Sequence, residues 1–218
     1  MTVQTTPAVA GQIVTLSAEA VQNSGGHFSH SSTRPTGTFT ATQGTTNANG
    51  VFETSYTAPI FGGTMMIRGT MRSVSKQQFL NIYITGMQEL GSGSNYVLTG
   101  ATTTHPANHF GTALAVANLP QIANDYKAVY PTSADVEFND MSLINGGKFE
   151  IPGSWSETAS HQEHKLGKNC DIPYGKPNLI QTTEQQSEME NILRRYNSRN
   201  FLKHVAPDPL HYHARFEP

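Results

Sequence analysis

Ile13-Val14-Thr15-Leu16-Ser17-Ala18-Glu19 alternates along its length, with Val14, Leu16 and Ala18 on one side and Thr15, Ser17 and Glu19 on the other. Side chains of an extended strand point to opposite faces in turn, so this stretch predicts a strand with one buried face. The same texture, rich in Thr, Ser and Gly, continues to about Thr85. Phe39 and Ala41, Val51 to Tyr56, Met65 to Gly69 and Phe79 to Ile84 predict further strands. Asn23-Ser24-Gly25-Gly26, Asn49-Gly50, Pro59 and Gly62-Gly63 punctuate them. Short strands spaced by turn signals, with no helical stretch, predict an all-β sandwich over residues 1–87. Asn49-Gly50 predicts a type I′ hairpin turn, since both central positions of that turn need positive φ.

Residues 88–94 contain Gly91-Ser92-Gly93-Ser94 and read as a flexible linker that imposes little orientation on its neighbours. Beyond it, residues 95–218 predict an α+β domain with an antiparallel sheet. Asn118-Leu119-Pro120 predicts a helix start, with Asn118 as cap and proline in the first turn, followed by Ile122, Tyr126 and Val129 on one face. A second helix is expected near Thr182, where Thr182 and Gln185 form a capping box. Met189, Ile192, Leu193 and Tyr196 make its apolar stripe, and such a stripe ordinarily faces the core. Val136 to Phe138, Cys170-Asp171-Ile172 and Leu210 to Phe216 are the expected strands.

Composition narrows the function classes. Net charge is −2, the isoelectric point about 6.5, and only 14 % of residues are charged. Without a basic patch or a Lys/Arg run, neither nucleic acid nor an anionic membrane is an expected partner. Cys170 is the only cysteine, so no intrachain disulfide forms and the redox compartment stays open. No apolar stretch approaches the roughly 20 residues that span a bilayer, so membrane insertion is not expected. Met1-Thr2-Val3-Gln4 does not begin a signal peptide. The expectation is therefore a protein that is not secreted, or a mature fragment with an added Met1.

The chemistry-bearing residues cluster late in the chain. In a strand, His211 and His213 of His211-Tyr212-His213 share a face. Upstream stand His161-Gln162-Glu163-His164 and Asp171. Imidazoles and one carboxylate are the donors zinc takes when it keeps a position open for water. Asp171 lies between apolar Cys170 and Ile172, a costly place for a carboxylate unless it is paired or metal-bound. Taken singly, His164 with Asp171 reads as a loop histidine and a salt-bridging acid, and His211 with His213 as surface residues. Their presence in one short domain is more specific. The pattern is not H-E-x-x-H, which excludes a helical zincin site. His27 and His30 have no carboxylate or cysteine nearby in the sequence and read as polar loop histidines.

Phe138-Asn139-Asp140-Met141-Ser142-Leu143, Gly146-Gly147-Lys148-Phe149, Trp155, His161 to His164, Gly167, Cys170-Asp171-Ile172 and His211 to Phe216 together resemble the penicillin-insensitive murein endopeptidases. Their wider group holds lysostaphin-type and D-Ala-D-Ala metallopeptidases and the hedgehog signalling domain. The resemblance covers about residues 95–218. It implies one zinc per chain held by His164, Asp171 and His213, with the fourth position left for water. It also implies His211 as the catalytic histidine and His161 as an additional active-site histidine. Two departures stand out. A histidine that some of these enzymes carry shortly before H-x-H is missing, with Asp208 near its place, and Cys170 replaces a plain apolar residue.

The first half resembles bacterial Ig-like repeats of surface proteins, through Gly25-Gly26-His27, Arg34-Pro35, Gly37, Asn49-Gly50, Tyr56 and Ala58 to Gly63. The expectation is an Ig-like β-sandwich joined to a zinc peptidase that hydrolyses peptide bonds in peptidoglycan cross-links, outside the cell or in the periplasm. Lys148, Glu150, Trp155 and Arg215 are expected to line the cleft. Arg215 reads equally as a surface charge or as a fork for a substrate carboxylate. One alternative is a non-catalytic, hedgehog-like module with bound zinc; another is a surface adhesion protein acting through its Ig-like half. His211 beside His213 favours the enzyme.

Overall fold

The computed structural model describes residues 1–30, 32–148, 150, 155 and 163–217. The fold is β-rich, with fifteen strands and two α-helices among the described residues. The alternating stretch forms the strand Ile13–Ala20, with Val14 and Leu16 buried and Ile13, Thr15, Ser17 and Glu19 exposed. It pairs on one side with Gln43–Thr45 and on the other with Gly63–Met71. Val74–Ile82 completes this four-stranded antiparallel sheet. It runs beside Gly63–Met71 over the full length of both strands, and Arg72 takes φ 52° in the tight turn between them. That turn holds neither glycine nor asparagine, which is why the sequence shows only the centre of one strand and the end of the other. A second layer pairs Thr2–Gln4 with Val51–Glu53 and lays Val3 and Phe52 over Val14 and Leu16.

Two expectations for this half need correction. The strand expected over residues 51–56 is split. Val51–Glu53 pairs with Thr2–Gln4, whereas Tyr56–Thr57 pairs with Thr38–Phe39. Asn49-Gly50 does not close a two-residue hairpin, because the strands flanking it belong to different sheets. The Asn47 side chain organises the turn instead. Its Oδ1 accepts from the backbone N–H of Asn49 at 2.9 Å and of Val51 at 3.1 Å. Gly50 then donates to the Asn47 carbonyl at 2.9 Å with φ +70°. An asparagine that captures nearby N–H groups sets its own turn in place of the hairpin type.

In the second half, α1 spans Ala113–Val129 and is capped by Thr112, not Asn118. The Thr112 hydroxyl accepts from the Ala115 N–H at 3.4 Å, and Asn118 instead donates through its amide to the Tyr196 carbonyl at 2.9 Å. Pro120 is therefore inside the helix, where it lacks the N–H that would bond the Val116 carbonyl. Ile122 and Tyr126 are buried as expected, but Val129 is exposed. α2 spans Thr183–Arg195 and opens on the expected Thr182–Gln185 capping box. Leu119, Ile122 and Tyr126 join Met189, Ile192 and Leu193 in one core with Cys170, Ile172, Tyr212 and Ala214. Burying a side chain of this size stabilises the fold by about 1.5–3 kcal/mol.

The two halves are hydrogen-bonded to each other. Phe28 N–H donates to the Thr104 carbonyl, Ile84 N–H to Asn145 and Lys148 N–H to Ile60, each at 2.9 Å. Within residues 88–94, Gln88–Glu89 pairs with Phe110–Gly111, and Leu90 is buried in the core of the second half. Leu90→Ala should therefore cost about 2–5 kcal/mol in denaturant unfolding, the usual range for a buried leucine. An unchanged midpoint would show that this segment is not part of the core.

Candidate functional site

Tyr212 and Ala214 in the strand His211–Arg215 point into the core, so the period of two turns His211, His213 and Arg215 to the opposite face. This strand is the middle of three. Asn169–Pro173 lies antiparallel on one side and Leu202–His204 on the other. The first pairing sets Asp171 directly opposite His213 and Pro173 opposite His211. Cys170 and Ile172 are buried in the core, which turns Asp171 onto the histidine face. The second pairing sets His204 opposite His211, and their rings stack at 4.4 Å and 13°. His204 was not foreseen, because strand register across a chain reversal cannot be read from spacing.

His164 begins a single 3-10 turn, His164–Leu166, that ends at Gly167. Gly167 has φ +65° and donates its N–H to the His164 carbonyl at 3.0 Å. A side chain there would meet the Met87 sulfur at 2.6 Å and the Gly111 backbone at 3.0 Å. The turn brings His164 Nε2 within 3.4 Å of Asp171 Oδ1 and sets its ring edge-on to His213 at 4.8 Å.

Asp171 is the electrostatic centre. Its Oδ1 lies 2.7 Å from His213 Nδ1, and its Oδ2 lies 3.7 Å from His211 Nε2. Burial opposes its ionisation, but hydrogen bonds and charge from His164 and His213 outweigh burial and hold its pKa well below the carboxylate range. Burial likewise favours neutral His164, yet the Asp171 hydrogen bond and charge raise its pKa. One donor atom each from His164, Asp171 and His213 lie within 4.8 Å of one another.

The outer nitrogen of His213 is also held. Nε2 lies 3.1 Å from Glu163 Oε2 and 2.7 Å from the Asn169 amide. Arg215 clamps Glu163 with Nε at 2.6 Å and Nη2 at 2.7 Å and donates from Nη1 to the Asn200 carbonyl at 3.1 Å. The Arg215 hydrogen bond is the main cause of a lowered Glu163 pKa. A metal-binding histidine commonly gives its second nitrogen to a carboxylate, and this arrangement leaves Nδ1 of His213 facing Asp171. The donor set thus fits a divalent metal. His211 Nδ1 contacts the Pro209 carbonyl at 2.7 Å, which as a hydrogen bond places the proton on Nδ1 and leaves Nε2 with its lone pair. Glu163, His164, Asp171, His211 and His213 face a cavity of about 1020 Å³, also lined by Asn139, Asp140, Tyr174 and Lys176.

No protein-family model matches the chain, and comparison with curated proteins finds no match.

Other expectations fare differently. His161 lies outside the described residues, and so does Phe149. Arg215 spends its fork on Glu163. Lys148, Glu150 and Trp155 are not among the residues lining this cavity. Glu150 instead meets His27, His30 and His105, a second group that could hold a metal ion. No carboxylate or cysteine stands near His27 and His30 in the sequence, and folding supplies one from the other half.

Gly167→Ala should destabilise the protein by more than about 1 kcal/mol, since it adds a strained positive φ to the close contacts with Met87 and Gly111. Denaturant unfolding measures this, and wild-type stability would remove Gly167 from the support of His164.

Proposed function

We propose that this protein is a zinc peptidase acting on the cross-link peptides of peptidoglycan, in the manner of the penicillin-insensitive murein endopeptidases. In this reading residues 95–218 carry the activity, outside the cell or in the periplasm. Residues 1–87 are an Ig-like module that serves as spacer or wall-docking surface. The observation that supports it is the convergence of His164, Asp171 and His213, with His211 beside them, on one wall of a cavity of about 1020 Å³. Three protein donors leave room for a fourth ligand, the arrangement found in hydrolytic rather than structural zinc sites.

Zinc held by His164, Asp171 and His213 would polarise the scissile carbonyl and bring the pKa of a bound water towards about 7. The remaining roles belong to the chain. His211 takes the proton of the attacking water on Nε2 and returns it to the leaving amine, so that one amide C–N bond and one water become a carboxyl and an amine. The Pro209 carbonyl and the stacked His204 ring keep His211 in the orientation this needs. Glu163, clamped by Arg215, keeps Nδ1 of His213 turned to the site. Tyr174, through its hydroxyl bond to the His204 carbonyl at 2.6 Å, braces the strand that carries His204.

Two variants separate these roles. His213→Ala should lose the cleft zinc to a modest concentration of chelator. His211→Ala should keep the metal but turn over a soluble cross-linked muropeptide at least about 10²-fold more slowly, the scale of losing a general base. A zinc content unchanged from the wild type in both His164→Ala and His213→Ala would refute the ligand set, and unchanged turnover in His211→Ala would refute the base.

A further inference from the structure

We propose that His27, His30, His105 and Glu150 hold a second metal ion, a structural zinc that fastens the first half of the chain to the second. His27 and His30 follow the strand Ile13–Ala20, whereas His105 lies beyond Tyr96–Leu98 and Glu150 further still. The three rings form a nearly regular triangle, with centroids 5.6 Å apart for His27–His30, 5.4 Å for His27–His105 and 5.3 Å for His30–His105. Glu150 reaches two of them, Oε1 at 2.8 Å from His30 Nδ1 and Oε2 at 2.9 Å from His105 Nε2. One donor atom from each residue falls within 4.8 Å of the others. Tetrahedral zinc with bonds of about 2.0 Å needs donors roughly 3.3 Å apart, a small inward movement of side chains.

A carboxylate bridging two histidines does not by itself account for the third. His27 is buried, and neither of its ring nitrogens has a hydrogen-bond partner among the described residues. Two buried polar atoms without partners are costly, and a metal bond removes that cost for the nitrogen that makes it. Arg34 does not take up the imidazole nitrogens. Its guanidinium donates to Ser24, Gly62, Val21 and Thr64 oxygens at 2.7–3.3 Å.

The donor count assigns the role. Four protein ligands close a zinc shell, whereas the cleft offers three. Trp155 covers the cluster, its ring 4.7 Å from His30 and 5.3 Å from His27, with its indole N–H donated to Ser32 Oγ at 2.8 Å. The adjoining cavity, about 180 Å³, is far smaller than the cleft. A closed shell under an indole suits a fastening, not a turnover site.

Zinc content of the full chain, measured by elemental analysis after dialysis, tests this. Two zinc ions per chain are expected in the wild type, one in His27→Ala, one in His213→Ala and none in the double variant. A wild-type count of one that His213→Ala abolishes overturns the second site and leaves the cleft intact. A count of one that His27→Ala abolishes supports the second site and removes the cleft metal instead. Should His27→Ala fail to fold, the His164→Ala/His213→Ala double variant decides, since one remaining zinc supports the proposal and none overturns it. Stripping the remaining zinc from His213→Ala should lower its Tm on the order of 5–10 °C, as expected for a ligand present well above its Kd.

Discussion

Asp171 Oδ1 lies 2.7 Å from His213 Nδ1 across two antiparallel strands, and the site depends on that pairing. Asp171 is mostly buried in the cleft wall, and an ionised carboxylate buried to that extent is costly without partners. The histidines around it offset this. The core holds the pairing in register, because Cys170, Ile172, Tyr212 and Ala214 occupy the alternate positions and fill the space against α1 and α2. A slip of one residue would drive Asp171 and His213 into that core and expose the apolar set, so the chemistry and the hydrophobic packing specify the same alignment. Glu163 and Arg215 add a second restraint from outside, on the nitrogen of His213 that faces away from Asp171.

Much of this was legible in the sequence where a short-range rule governs. The alternation from Ile13 to Glu19, the Thr182–Gln185 box and the shared face of His211 and His213 each follow from a local period or a local hydrogen bond. What failed depended on competition or distance. Asn49-Gly50 suggested a hairpin, but the Asn47 carboxamide took the N–H groups first. Asn118 looked like a cap, but Thr112 capped the helix earlier and left Pro120 inside it. Gly91 to Ser94 suggested a linker over residues 88–94, while Leu90 within that stretch packs into the core. The stacking of His204 on His211 and the meeting of Glu150 with His30 join residues that no sequence window contains together.

The two histidine clusters differ in the physical terms that separate turnover from fastening. The cleft group offers three donors to a large cavity, with His211 beside them on its wall. The second group offers four donors beneath Trp155 and draws them from both halves of the chain. With the backbone bonds from Phe28, Ile84 and Lys148, it would make the first half a fixed part of the molecule rather than a tethered one. A wall-docking role for that half would then act by orienting the cleft as well as by raising local substrate concentration.

Cleavage of cross-link peptides would change the muropeptide profile of purified peptidoglycan. Mass spectrometry of purified peptidoglycan digested with the zinc-loaded protein tests it most directly. The expected products are cross-linked dimers converted to monomers, each cleavage adding one water and freeing one amine, with the glycan strands intact. Dimers left unchanged by zinc-loaded, folded protein, or cleavage confined to the glycan, would contradict it.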